Sequence, residues 1–254
     1  MISFINNIKR FFTRTKKIEL STLPSMGLFY KDDMKISIKR ASKSVIEQYV
    51  SNYNDESIID IIDTIKEVVE SCTILNKEYN YYDIKGVDTI FIFIEIVKFT
   101  LNKEVYIKDN DETIIFCSNN FNYHKNNKFI NKYYNSDKKS VEYNGYSGTL
   151  PSIGIEKSLT DHMITNYTDE DGDKWINYSY SFMYFLSDKN NITNDEFLNL
   201  IEIFNNEISD KDKEDIKYIV DNLLPLTSYS LLDKYGNVVD LKSKINFKDI
   251  WTKH

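Results

Sequence analysis

At 254 residues and 30.0 kDa, with 41% hydrophobic and 28% charged residues, the chain can bury a full core and is too apolar to be disordered. Two cysteines, Cys72 and Cys117, supply neither a disulfide framework nor a four-cysteine zinc site, which points to a reduced, intracellular setting. The N-terminus lacks an apolar signal core, and the longest apolar stretch, residues 90–101, is broken by Glu95 and Lys98; a secreted scaffold and an integral membrane protein are excluded.

The net charge of −7 is unevenly divided. Residues 1–43 carry 10 Lys/Arg against 3 Asp/Glu, and the remaining 211 carry 22 against 36. Such an acidic body repels a phosphate backbone, so nucleic acid is not an expected partner. An acidic body with a basic arm suits packing between protein subunits instead. The 29 Lys against 3 Arg, the 27 Asn and the single alanine, Ala41, reflect AT-rich coding and carry no functional meaning.

Residues 1–20 form a basic arm. Within residues 1–17, Ile2, Ile5, Ile8, Phe11 and Phe12 fall near helical spacing, with Lys9, Arg10 and Arg14 among them. Such a segment can cap the fold, lie on an anionic membrane surface or dock on a partner; Lys9, Arg10, Phe11, Phe12 and Arg14 are the candidate partner-binding residues. Residues 35–39 alternate as a short strand, and residues 42–53 read as a helix. Asn54 or Asp55 can cap a helix whose Ile58, Ile62, Ile65, Val69 and Cys72 share one face, making Cys72 a core residue rather than a reactive thiol. Residues 89–97, TIFIFIEIV, fit a buried strand or a buried helix equally well. Residues 105–108 and 113–117 flank Asp109-Asn110-Asp111 as a hairpin.

Residues 118–144, rich in Asn, Lys and Tyr and without a period, read as a linker between an N-terminal half, 21–117, and a C-terminal half, 145–254. In the second half residues 158–166 suggest a short helix, and residues 175–186 are aromatic and read as buried. Thr193 with Glu196 forms a capping box, and a helix over 213–224 stops at Pro225. Two segments around Tyr235-Gly236-Asn237 make a closing hairpin. The expected fold is therefore α+β and helix-rich, two halves with short antiparallel hairpins joined by a low-complexity loop.

A five-residue word occurs twice. Leu23-Pro24-Ser25-Met26-Gly27 returns 127 residues later as Leu150-Pro151-Ser152-Ile153-Gly154, using two of only three prolines and two of only seven glycines. The reading is one turn per half that carries the chain into a strand. LPSMGLFY, followed by a basic strand, a helix and Asp88 in GVDTIFIF, resembles the T-even type phage baseplate hub proteins. The resemblance covers most of the N-terminal half and implies a structural or assembly role in a contractile-tail baseplate. It implies contacts with other baseplate or tail proteins, a place in the virion tail after assembly in the host cytoplasm, and an oligomeric setting. Relatives carry paired cysteines resembling a small zinc site; here Cys117 stands alone, so the resemblance implies a member without metal.

The chemical motifs point the same way. Cys72, Cys117, His124 and His162 lack paired ligand spacing, and residues 169–173, DEDGD, do not set carboxylates at the ends of a calcium loop. No glycine-rich phosphate loop or serine nucleophile elbow is present, and a Cys117–His124 pair has no third group to orient it. No catalytic residue, metal or cofactor is expected. The two alternatives are a tail-associated peptidoglycan-degrading enzyme with paired carboxylates, such as Glu95 or Glu104, and a peripheral membrane protein held by residues 1–17 without stable insertion. Purified protein should accordingly carry no stoichiometric zinc, and a chelator should leave its melting temperature unchanged; a tightly bound equivalent of zinc contradicts this reading.

Overall fold

The computed structural model describes residues 15–54, 58–109, 111–121, 127–166, 182–186, 189–228, 230–233 and 235–252. Strand β1, Thr15–Ile18, pairs antiparallel with β2, Ile36–Lys39, which pairs in turn with β3, Thr73–Leu75. The arm reading extended a helical pattern to residue 17, but Thr15–Ile18 is extended. Ile18 is buried opposite Ile36, and Lys16 reaches Glu95 at 2.6 Å, so the free edge of β2 and a carboxylate outweigh local helical spacing. Lys9, Arg10, Phe11, Phe12 and Arg14 lie outside the described residues.

Ser42 accepts a hydrogen bond from the Val45 amide and starts helix α1, Lys43–Asn52. Helix α2, Ile58–Cys72, buries Ile65, Val69 and Cys72 as expected, but with Ile61 and Val68 beside them, while Ile62, expected on that face, is only partly covered. Residues 89–101, open between strand and helix on pattern alone, form helix α3, Thr89–Leu101. Its Ile90 to Ile94, Ile96 and Val97 are buried, so little polar face remains from which a period could be read. As a helix these 13 residues span about 20 Å and match the length of α2, on which they pack. As a strand they would run about 43 Å, well beyond either neighbour. No helix among the described residues is long and apolar enough to cross a membrane.

The hairpin of β4, Tyr106–Asp109, and β5, Glu112–Ile115, follows as read. The stretch 118–144, whose composition reads as a linker, differs. It holds helix α4, Lys128–Tyr133, and strands β6, Tyr134–Asn135, and β7, Ser140–Tyr143, the last paired with β8, Tyr146–Gly148. Phe129 and Ile130 are buried, and Asn127 accepts bonds from both of their amides as an N-cap. A composition that looks disordered thus conceals two apolar anchors, a cap and tyrosines whose rings supply core area.

Helices α5, Ile153–Asn166, α6, Met183–Leu186, α7, Asn194–Asn206, and α8, Asp210–Leu223, complete the second half. Thr193 and Glu196 form the expected capping box. Strands β9, Ser230–Leu232, and β10, Val238–Asp240, make the closing hairpin and lead into α9, Leu241–Lys244. The fold is α+β, with helices and several small antiparallel sheets. Residues 167–181, which include the DEDGD run and most of the aromatic 175–186 stretch, and His124 lie outside the described residues.

Three apolar cores result, and the proposed boundary does not separate them. The largest gathers β2, α2 and α3 together with Leu231, Leu241, Ile245, Phe247, Ile250 and Trp251 from the chain's far end. Tyr49 stacks on Phe93 at 5.4 Å, Trp251 meets both rings edge-on, and the Tyr49 hydroxyl donates to the Phe247 carbonyl. Lys244 reaches the buried Asp109 at 2.9 Å and pins the tail to the β4–β5 hairpin. The second core joins Phe29 and Val87 to residues 129–150 and α8, and the third lies between α5 and α7. The C-terminal tail therefore closes the N-terminal core. Replacing Phe247 with Ala should cost about 3–5 kcal/mol in denaturant unfolding and shift the whole transition. A change confined to a separate C-terminal transition would contradict the shared core.

Candidate functional site

The two LPSxG words meet at one short segment, residues 84–88. The first word follows the 3-10 turn Leu20–Thr22 and places Leu23 in the large core. Met26 and Gly27 then take left-handed conformations, with φ of +56° and +71°. A Cβ on Gly27 would also stand 2.7 Å from Leu20 Cβ, so only glycine fits. This bend aims Ser25 at Asp88. The Ser25 amide donates to Asp88 Oδ1 at 2.8 Å, and its hydroxyl donates to Oδ2 at 2.7 Å. The Tyr30 hydroxyl donates to the same Oδ2 at 2.8 Å and accepts from the Lys85 amide at 2.9 Å. Asp88 is fully buried and Ser25 2% exposed.

The second word holds the same segment from the other side. The Gly86 amide donates to the Pro151 carbonyl at 3.0 Å, and the Ile153 amide donates to the Ile84 carbonyl at 2.8 Å, with Lys85 and Ser152 as bridge partners. Here the word opens a helix rather than a strand, and the first word leads into further turns with the next strand only at Ile36, which corrects the reading of one strand-leading turn per half. Ser152 accepts from the Ile155 amide through its hydroxyl and from the Glu156 amide through its carbonyl. Gly154 lies inside α5, where a Cβ would stand 2.3 Å from the Asn190 carbonyl oxygen. Leu23, Pro24, Ser25, Leu150, Pro151, Ser152 and Gly154 are all buried, and Gly27 is partly covered. The octapeptide also bridges cores, since Tyr30 packs in the first and Phe29 in the second. The Tyr134 hydroxyl, from the stretch read as linker, donates to the Leu28 carbonyl.

A hydroxyl on a carboxylate resembles a nucleophile and its base, but both groups are sealed from any substrate. The network is a structural clasp. Burial outweighs the three donors and raises the Asp88 carboxyl to about 6. Burial beside Asp88 also holds the Tyr30 phenol well above its usual range.

The accessible feature next to this clasp was not read from the sequence. A groove of about 780 Å³ runs between α2, the Tyr81–Asp83 turn and α5. Ile59, Ile62 and Ile153 with Tyr82 and Tyr184 give it apolar walls. Glu156 forms its floor directly over Gly86, where a Cβ would collide with the carboxylate. Burial there raises Glu156 to about 7 despite Lys66 and Lys85. Nothing in the sequence distinguishes Glu156 from the other 38 acidic residues. Among the described residues no three His, Cys, Asp or Glu side chains are placed to hold a metal. Burial raises the Cys72 thiol, and His162 bonds the Ile192 carbonyl at 2.7 Å.

No family model, no curated protein and no solved structure matches the chain.

Asp88 and Glu156 titrate higher folded than unfolded, so between about pH 4 and 7 the folded state binds more protons and stability falls as pH rises. Glu142, lowered to about 2 chiefly by its bond from Lys138, acts oppositely: its contribution is lost as pH falls below the ordinary carboxylate range. The melting temperature should therefore be higher at about pH 5.5 than at about pH 7.5, and a double Asp88→Asn, Glu156→Gln variant should lose most of that rise. Asp88→Ala, which strands three buried donors, should cost about 2–4 kcal/mol, and Asp88→Asn clearly less. A flat melting profile in the parent protein would contradict the assignment.

Proposed function

We propose that the chain is a structural or assembly component of a contractile-tail phage baseplate, acting in the hub region through contacts with other tail proteins and without catalysis. The observation that supports this reading is that the residues carrying the resemblance form one physical unit. Ser25 and Tyr30 of LPSMGLFY bond directly to Asp88 of GVDTIFIF, across 63 and 58 residues of chain. Residues that depend on one another in this way form a coherent motif rather than scattered identities. The charge division supports assembly through protein contacts, with Lys9, Arg10 and Arg14 speeding encounter and Phe11 and Phe12 available for burial against a neighbour. Nucleic acid and stable membrane insertion have no place in this reading.

In the phage encoding it, loss of the chain should leave tails without finished baseplates. Mass spectrometry of purified particles beside infected-cell lysate then separates a resident subunit, found in both, from an assembly factor found only in lysate. Normal infectious particles made without the chain would overturn the proposal.

A further inference from the structure

We infer that the groove between α2 and α5 receives residues 1–14 of a second copy of this chain. The inference rests on the reading above that the protein works through subunit contacts, and it names one such contact.

Charge gives the first argument. Asp63, Glu67, Glu70, Glu156 and Asp161 line the groove against Lys66 and Lys157. Residues 1–14 carry Lys9, Arg10 and Arg14 and no acidic residue. With Glu156 raised to about 7, the other four carboxylates still outnumber the two lysines and face a segment with three cations. The second argument is the match of apolar surface. Ile59 is 66% exposed at the groove's rim, and the walls are isoleucine and tyrosine. The segment contributes Ile2, Phe4, Ile5, Ile8, Phe11 and Phe12, so aromatic anchors meet an apolar trough inside an acidic rim.

The tether bears on which copy supplies the last residues of the segment. Thr15 lines a cavity with Asn102 and Lys103, just past the C-terminal end of α3. Glu156 sits against Gly86, just before the N-terminal end of the same helix. The two places are separated by roughly the length of α3, about 20 Å. Arg14 adjoins Thr15, and Phe12 stands three residues away, about 10 Å at full extension. Neither can reach the groove floor of its own chain, so a groove that seats the whole segment, Phe12 and Arg14 included, is filled from a second copy.

Charge reversal in the full-length chain tests the contact. One variant carries Lys9→Glu, Arg10→Glu and Arg14→Glu; the other carries Glu70→Lys and Asp161→Lys, both at exposed positions. Sedimentation should show the parent chain self-associating and each variant associating roughly tenfold or more weakly at low salt. Mixing the two variants in equal amounts should restore association, because an intact arm then meets an intact groove and the reversed pair is again complementary. Restoration also shows that both variants are folded. A parent chain that stays monomeric, variants that associate as well as the parent, or a mixture that fails to recover overturns the inference. None of these outcomes touches the baseplate proposal, which is read separately from particle composition and infectivity.

Discussion

A buried carboxylate organises this molecule. Asp88 lies at the start of the central helix α3 and is bound by an amide, a serine hydroxyl and a tyrosine hydroxyl, two of them from one turn 63 residues earlier. A lone ionised carboxyl would not survive in that position, because desolvation favours its neutral form. The three donors make the site tenable and require Leu23–Tyr30 to adopt one conformation, with Met26 and Gly27 left-handed. That conformation directs Leu23 and Tyr30 into the large core and Phe29 into the second. The polar contact thus fixes where apolar side chains go.

The second LPSxG word extends the same logic. By bonding Ile84 and Gly86 it joins α5 to the segment that Asp88 anchors, and it leaves Glu156 over a glycine that has no side chain to displace it. The groove beside α2 is therefore a by-product of the clasp: its floor exists because the second word sets the first turn of α5 against residues 84–88. The chain's far end then closes the structure, with Phe247 and Trp251 packing on Phe93 and Tyr49. Segments more than 150 residues apart share one core, which favours a single cooperative unit over two independent halves.

The parts legible in the sequence were those governed by local rules. Ile65, Val69 and Cys72 of the α2 stripe, the Thr193–Glu196 capping box, the β4–β5 hairpin and the closing hairpin appear where periodicity and turn chemistry place them, while Ile62 of that stripe faces the groove instead. The α3 segment was ambiguous for a physical reason, since burial on nearly all sides removes the polar positions from which a period is read. The stretch 118–144 reads as a linker because Phe129 and Ile130 are two anchors in a polar run, and their worth depends on partners in α8 and β7. The repeated word was visible, but its meaning was not. Ser25 binds a distant carboxylate while Ser152 caps a helix, and no local pattern separates those roles. The groove was invisible for the same reason, being assembled from α2, the Tyr81–Asp83 turn and α5.

The contact between Ser25 and Asp88 is the claim on which the account stands. A double-mutant cycle with Ser25→Ala and Asp88→Asn, read by denaturant unfolding of the full chain, measures it directly. Hydrogen bonds to a buried charged group predict a coupling of about 1.5–3 kcal/mol, with the double variant less destabilised than the sum of the single ones. Effects that add to within about 0.5 kcal/mol would mean that the two residues do not act on each other and would contradict the clasp.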